Sequence, residues 1–235
     1  TGDQYQFGTG TLKGRYSSTE QSLRVDGKLS HLGYEDYKLE NWDFNIIKEP
    51  HQLLNLSMDI AHLKEKGKEI THDIIFDAHI LPNDAEFLFN FAYPSDDFAL
   101  NSYGELKFRA DTIEAYFMES IIYLKGEKWT ISDENKVIYE TNGVHISHLN
   151  LLHEDSDLKI QGDITGDVKD KLMLQLDNFN LNNISQFVEG STFEGRAFGS
   201  LDLLRLTTDP FFYSDLLVED LVYNDNYLGN LKLIS

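Results

Sequence analysis

Apolar and polar residues alternate along most of this chain, and the alternation limits its folds more than any other feature. The stretch "LLNLSMDI" places Leu54, Leu56, Met58 and Ile60 at every second position, with polar residues between them. The stretches "HDIIFDAHI", "EFLFNFAY", "DLKIQGDIT" and "KLMLQLD" repeat this pattern. Because successive side chains of a strand point to opposite faces, the spacing predicts β-strands with one buried face and one wet face.

Turn-forming stretches separate the alternating runs at short intervals. They include "PNDA", "PSDD", "KGEK", "TGDVKD" and "TTDP". Many strands at this spacing indicate an antiparallel meander, and strands that do not alternate with helices disfavour a doubly wound α/β fold. We find no linker and no shift in composition, so we expect one continuous segment over residues 1–235.

One short helix is predicted near residues 183–189, where "NNISQFVEG" interrupts the alternation. Asn182 or Asn183 suits the N-cap, and a glycine stands where the helix should end. A helix of about two turns is not stable alone. We therefore expect Phe187 and Val188 to dock on the apolar face of the sheet and to cover part of it.

The charge balance argues against several classes of partner. The chain has 235 residues, with 40 acidic against 20 basic side chains and a formal net charge of −20. Nucleic acid is not expected as a partner, because phosphate backbones require a basic face. A solvated outer face accounts for the acidic residues. The chain has no cysteine, so disulfides and thiolate metal sites are excluded.

No catalytic or metal-binding pattern emerges from the sequence. The chain has no glycine-rich phosphate loop, no zinc-protease motif and no nucleophile elbow. His145 and His148 differ by three positions, so a regular strand would place them on opposite faces, and nearby His153 is also read as a surface or strand-edge histidine. The many carboxylates fit a solvated face better than a glycosidase pair. We expect no enzyme activity, no metal and no cofactor.

An amphipathic sheet of this size must bury its apolar face, and three solutions are open. The sheet can form a sandwich, close into a barrel, or fold into a groove that a ligand partly fills. The chain has 4 prolines and almost no helix to cover strand edges, and its pattern is unfinished at both ends. We therefore expect a long, extendable sheet within a longer protein, whose targeting or anchoring segment lies outside these residues.

The C-terminal part, from about Ile138 onward, resembles the TamB-like proteins of Gram-negative bacteria, the Bacteroidetes type in particular. The matching stretches are "VHISHLNLLHEDSDLKIQGDIT", "KLMLQLDNFNLNNISQFVEG", "FEGRAFGSLDLL" and "DPFFYSDLLVEDLVYNDNYLGNLKLIS". Their order is specific, although each stretch alone is weak. The upstream half resembles the family only in its general pattern, through stretches such as "GTLKGRY" and "KWTISDENKVIY".

The resemblance implies a place among the AsmA-like, bridge-forming lipid-transfer proteins. Such a protein would be an elongated, curled antiparallel sheet that forms a U-shaped apolar groove, a β-taco, across the periplasm. It would be held in the inner membrane by an N-terminal anchor outside this segment, and it would contact an outer-membrane barrel of the Omp85 type. The implied function is to shield phospholipid acyl chains between the inner and outer membranes.

Candidate groove residues follow from the alternation. In the first half they are Leu54, Leu56, Ile74, Phe76, Phe87, Phe89, Phe91, Leu106 and Phe108. In the second half they are Leu158, Ile160, Ile164, Leu172, Leu174, Leu176, Leu201, Leu203, Leu216, Val218, Leu231 and Leu233. An ordinary packed core would use the same residues, so lipid contact and core packing remain open for each of them.

Two other functions compete with lipid transfer. The first is a scaffold or chaperone-like module that pairs a sheet edge with strands of outer-membrane proteins during their assembly. The second is a carbohydrate-binding or hydrolytic β-sandwich, which would need a concave polar patch with two facing carboxylates.

Overall fold

The computed structural model describes residues 5–92, 98–185, 188 and 190–235. The chain divides into two compact units, Thr1–Lys107 and Phe108–Ser235. The expectation of a single continuous groove over residues 1–235 therefore stays a prediction.

The first unit is a meander of antiparallel strands. Its strands are β1 (Tyr5–Phe7), β2 (Gly10–Ser17), β3 (Ser22–Tyr34), β4 (Tyr37–Lys48), β5 (Leu54–Glu65), β6 (Lys68–Ile80), β7 (Asp84–Ala92) and β8 (Phe98–Phe108). Strands β2 to β8 pair in chain order. The short β1 pairs with the C-terminal end of β3, from Leu32 to Tyr34. The two-residue turn between β5 and β6 has positive φ at both Lys66 (51°) and Gly67 (82°), as a tight hairpin turn requires.

The second unit is also antiparallel. Its elements are β9 (Thr112–Leu124), β10 (Glu127–Ile131), β11 (Lys136–Glu140), β12 (Gly143–His153), β13 (Ser156–Ile164), β14 (Lys171–Asn180), the helix α1 (Asn182–Ser185), β15 (Phe193–Leu204), β16 (Phe211–Tyr223) and β17 (Asn226–Ile234). Strands β12 to β17 pair in chain order.

Strands β10 and β11 both lie between β9 and β12, so together they form one interrupted strand. Asn135 fills the interruption. Its Oδ1 accepts from the Phe117 amide over 2.7 Å, and its Nδ2 donates to the Phe117 carbonyl over 2.6 Å. The side-chain amide thus replaces the backbone hydrogen bonds that a continuous strand would make with β9.

The prediction of an all-β, antiparallel fold is confirmed. The one α-helix among the described residues is α1. The described residues of "EFLFNFAY", which the alternation predicts to be a strand, lie in β7. None of the described helices has the length and apolar character needed to cross a membrane.

Candidate functional site: the apolar faces of the two units

In the second unit, apolar residues line up across neighbouring strands. Residues directly opposite in an antiparallel pair share a face of the sheet. One row runs from β12 to β16 through Leu149, Ile160, Leu174, Leu201 and Ser214. A parallel row runs from β10 to β17 through Ile131, Leu151, Leu158, Leu176, Gly199, Leu216 and Leu233.

Two further rows widen this face. One contains Ala115, Val137, Ile146, Gly162, Leu172, Leu203 and Phe212. The other contains Phe179, Ala197, Val218 and Leu231. Ile164 joins the same face because it lies opposite Val144 on β12. All the groove candidates of the second half, from Leu158 to Leu233, therefore share one face of the second unit.

The first unit has a matching apolar face. One row contains Leu12, Gly27, Phe44, Met58, Phe76, Phe89 and Ser102, and the next contains Gly14, Val25, Ile46, Leu56, Ala78, Phe87 and Gly104. Leu54 and Leu106 lie in a third row, Ile74 lies opposite Ile60, and Phe91 lies opposite Leu100. The aromatic rings of Phe76, Phe89 and Phe91 contact in series, with centroids 6.4 and 5.6 Å apart.

Most of these side chains are only half-buried. Among the candidates, Phe87 (6% exposed) and Val218 (8%) are buried, while Leu231 (43%) and Leu233 (38%) are exposed. The remaining candidates, including Phe108 at the end of β8, lie between these limits. Leu174 is half-buried although β14 has a strand on each side. The inner face of a sandwich would be buried at such a central position.

Sequence reasoning missed part of the apolar face because bulges shift the alternation. Asn178 (φ 50°) and Asp220 (φ 49°) adopt the left-handed conformation where the register of β14 and β16 shifts. The extra residue keeps Phe179 on the face of Leu176, and Leu221 on the face of Val218, although each pair differs by three positions. Asparagine and aspartate tolerate this conformation, and that preference is the only signal the sequence carries.

The bulged strands close one end of the second unit's apolar face. The residues of this closed end are Trp129, Ile131, Leu151, Phe179, Ala197, Val218 and Leu221, all between 0% and 9% exposed. The Trp129 ring lies 5.5 Å from the ring of Phe179 and 5.2 Å from that of His153. Ala197, Val218 and Leu221 form a packed cluster against Leu176 and Leu181.

The helix α1 lies beside this closed end but differs from the expectation. Its described residues are Asn182–Ser185. Phe187 lies outside the described residues. Val188 lies at a bend after the helix and is 41% exposed, so the expected docking of Val188 on the sheet is wrong.

Polar side chains fix α1 instead. Asn183, which is 0% exposed, donates to Glu127 Oε2 over 3.0 Å. The Ser185 hydroxyl accepts from the Phe193 amide over 2.7 Å and donates to the Phe193 carbonyl over 3.1 Å. Asn183 and Ser185 are buried, whereas Ile184 is 36% exposed, which reverses the amphipathic pattern used for the prediction.

Paired charges lie in two parts of the first unit. The Glu40 carboxylate accepts from Lys38 Nζ over 2.8 Å and from Lys64 Nζ over 2.6 Å. These two hydrogen bonds, that of Lys38 first, lower the pKa of Glu40 to about 2. Lys28 and Asp43 alternate with Gly27 and Phe44 of the apolar face, so they lie on the opposite face, where they form an ion pair over 2.5 Å. This face is therefore solvated and ionic, as the sequence predicted.

The three neighbouring histidines of the second unit take separate roles. His145 lies opposite Asp163, and its Nδ1 is 2.6 Å from Asp163 Oδ1, which raises the pKa of His145. His148 occupies a bulge with φ of 54°, and His153 contacts Trp129. No group of three or more histidine and carboxylate side chains in the described parts of the chain is arranged to hold a metal ion.

One pair of carboxylates does face each other. Asp157 lies directly opposite Asp177 across β13 and β14, beside a cavity of about 290 Å³ that Gln175 and Phe198 also line. Lys159 Nζ lies 3.4 Å from Asp157 Oδ2, and Asp177 is exposed.

Comparisons with protein-family models, with curated proteins and with solved structures found no match to this chain.

Proposed function

We propose that this chain is a lipid-shielding segment of a TamB-like, bridge-forming lipid-transfer protein. In this proposal the apolar face of each unit covers the acyl chains of a phospholipid while it moves through the periplasm between the inner and outer membranes. An N-terminal anchor in the inner membrane and an outer-membrane barrel of the Omp85 type would complete the assembly, as the sequence resemblance implies.

The observation that carries the proposal is the apolar face with half-buried side chains. The row of Leu149, Ile160, Leu174 and Leu201 crosses four neighbouring strands, and each of its side chains is half-buried. Half-buried leucines leave apolar surface open to a ligand. Keeping an acyl chain on such a surface, out of water, is favourable by about 0.8 kcal/mol per CH₂ group.

The contrast between the apolar face and the charged opposite face also suits lipid transport. The opposite face holds ion pairs such as Arg24–Asp26 and Lys28–Asp43, which keep the protein dissolved while its apolar face is occupied. The candidate rows are made of aliphatic and aromatic side chains, with Ser102 and Ser214 among their few polar members. A face without strong polar anchors holds a lipid without fixing it at one position.

Native mass spectrometry of the purified chain tests the proposal. We expect bound species whose added mass matches phospholipids, and we expect them to disappear after delipidation and to return after incubation with phosphatidylglycerol vesicles. The proposed function would be contradicted if the chain stays folded and monodisperse but gains no phospholipid mass in either experiment.

A further inference from the structure

One lysine of the first unit lies on the apolar face and not on the charged opposite face. Lys48 is the last residue of β4, and it lies directly opposite Leu23 on β3 and Leu54 on β5. This part of β4 pairs without a register shift, so Lys48 shares the face of Ile46, two residues before it. Its neighbours on the face are therefore aliphatic side chains, all half-buried.

Among the described residues, Lys48 is the one charged member of the four rows that form this part of the face. Its own row is otherwise uncharged from Tyr16 on β2 to Leu106 on β8. The two rows that contain Phe44 and Ile46, given above, hold no charge. The fourth row consists of Gly10, Leu29, Trp42, Ile60 and Ile74. An anion on these rows therefore meets a cation and no carboxylate, although the net charge of the chain is −20.

Lys48 also has no carboxylate partner within the described part of the chain. Ion pairs to carboxylates are formed by Lys28, Lys38, Lys64, Lys66 and Lys107 of the same unit. Lys13 and Lys68 form none but are exposed, whereas Lys48 is half-buried. The next residue, Glu49, interacts electrostatically with Arg24, which alternates with the apolar face and lies on the opposite one. The Lys48 ammonium is therefore available to a ligand.

A lysine at the end of an apolar strand face suits the phosphate of an amphipathic ligand. The methylene stem of a lysine packs along apolar neighbours while its ammonium group stays in water. The strand ends at Lys48, and the residues that follow, 49–53, are all exposed, so water and a headgroup can both reach this border. An ammonium group forms charge-assisted hydrogen bonds with phosphate oxygens, and this one has no partner to give up.

The apolar face extends far enough from Lys48 to cover an acyl chain. Trp42 lies on the same face of β4, and six residues at about 3.3 Å each place it about 20 Å from Lys48. Phe44 and Ile46 lie between them on the same face. The acyl chains of one bilayer leaflet fill about 15 Å, half of the hydrocarbon core. A chain that lies along β4 therefore fits between Lys48 and Trp42.

We propose that Lys48 binds the phosphate of a phospholipid whose acyl chains lie on the apolar face of the first unit. The headgroup is then at the strand end, and the acyl chains run along β4 toward Trp42. Because Lys48 lies at the border, the interior of the face stays free of polar anchors. This inference rests on the proposed function, and it adds the orientation of the lipid on the first unit and a preference for lipids that carry a phosphate.

Photocrosslinking on the 235-residue chain tests the phosphate contact. The photoreactive residue p-benzoylphenylalanine replaces Phe89, so that adducts report lipid on the apolar face of the first unit. The chain is incubated with phosphatidylglycerol vesicles that also contain diacylglycerol with the same acyl chains. Mass spectrometry of the adducts then gives the ratio of the two captured lipids. Since only phosphatidylglycerol carries a phosphate, this ratio measures recognition of the headgroup.

We expect Lys48→Gln to lower the ratio of phosphatidylglycerol to diacylglycerol adducts about tenfold, because the charge-assisted hydrogen bonds are lost. Lys48→Arg keeps the positive charge and should keep the ratio. Lys13→Gln is the charge-matched control, because Lys13 also forms no ion pair in the described chain but alternates with Leu12 and Gly14 and so lies on the opposite face. It should leave the ratio unchanged.

The outcomes separate this inference from the proposed function. Equal ratios for Lys48→Gln and Lys13→Gln, with adducts still present, would overturn the role of Lys48 and leave lipid shielding in place. If neither lipid forms more adducts at Phe89 than at Leu88 of the opposite face, the proposed function is overturned for this unit as well.

Inorganic phosphate distinguishes a lipid headgroup from a free anion. We expect native mass spectrometry of the chain with inorganic phosphate alone to give the same spectrum for the native chain and for Lys48→Gln. A phosphate adduct that forms without lipid and disappears in Lys48→Gln would overturn the lipid headgroup as the ligand of Lys48.

Discussion

Asn135 bonds both backbone groups of Phe117, accepting from its amide and donating to its carbonyl over 2.7 and 2.6 Å. Through this relationship one side chain, 4% exposed, substitutes for a segment of strand between β9 and β12. The interrupted strand therefore depends on a side-chain amide, whose carbonyl oxygen accepts while its NH₂ group donates.

We expect Asn135→Asp to destabilise the chain by about 1–3 kcal/mol, because the carboxylate cannot donate to the Phe117 carbonyl and leaves it buried without that bond. Equilibrium urea unfolding measures the change. Asn142→Asp is the matched control, since Asn142 is exposed in the turn between β11 and β12 and should alter stability by less than about 0.5 kcal/mol. Equal effects of the two substitutions would show that Asn135 does not bridge the strands.

Gly199 occupies a position on the apolar face that no other residue fits. Its φ is 118°, and a Cβ atom there would lie 2.0 Å from the Asp215 carbonyl oxygen of β16. We expect Gly199→Ala to cost at least about 2 kcal/mol of unfolding free energy, from backbone strain and displacement of β16.

Gly14 supplies the comparison for Gly199. It is an exposed strand glycine, and its added Cβ would meet atoms only at 3.8 and 3.9 Å. Gly14→Ala should leave stability unchanged or raise it by up to about 1 kcal/mol, because it restricts the unfolded chain. If both alanine variants unfold at the same urea concentration, the expected strain at Gly199 is contradicted.

The Glu40 cluster predicts an acid-dependent loss of stability. Hydrogen bonds from Lys38 and Lys64 lower the pKa of Glu40 to about 2 in the folded protein, whereas an unfolded chain has a glutamate pKa of about 4.3. The contribution is therefore fully present above about pH 4.5 and is lost as the pH falls toward 2.

The difference in unfolding free energy between the native chain and Glu40→Gln isolates this effect from the other carboxylates. We expect the difference to be constant between pH 5 and pH 7 and to shrink steadily as the pH falls from about 4.5 to 2. Glu20→Gln, on an exposed turn, should show a smaller difference with little change over the same range. A difference for Glu40→Gln that does not depend on pH would contradict the role of the cluster.

For most of these strands, alternation alone predicted which residues lie on the apolar face. Leu158, Leu174 and Leu201 share a face because strictly regular strands preserve period two across each register. The same reasoning could not find Phe179 or Leu221, because bulges at Asn178 and Asp220 add one residue before each of them.

The short helix shows a second limit of sequence reasoning. An apolar stripe predicted docking through Phe187 and Val188, but hydrogen bonds of Asn183 and Ser185 fix the described part of the helix. Asn183 donates to Glu127, which lies 56 residues away in the sequence. A contact between polar residues that far apart leaves no periodic signal, so local pattern cannot reveal it.

We expect lipid on the apolar faces and not on the opposite faces. Leu174→Asp and Phe89→Asp place a charge on the apolar face of each unit, while Gln175→Asp and Leu88→Asp place the same charge on the opposite face one residue away. The decisive measurement is the phospholipid bound to each folded variant, read by native mass spectrometry. We predict that Leu174→Asp and Phe89→Asp lower bound phospholipid at least about tenfold, because a charge is costly to bury against acyl chains, and that the two controls keep it. Bound phospholipid that is equal in all four folded variants would contradict the claim.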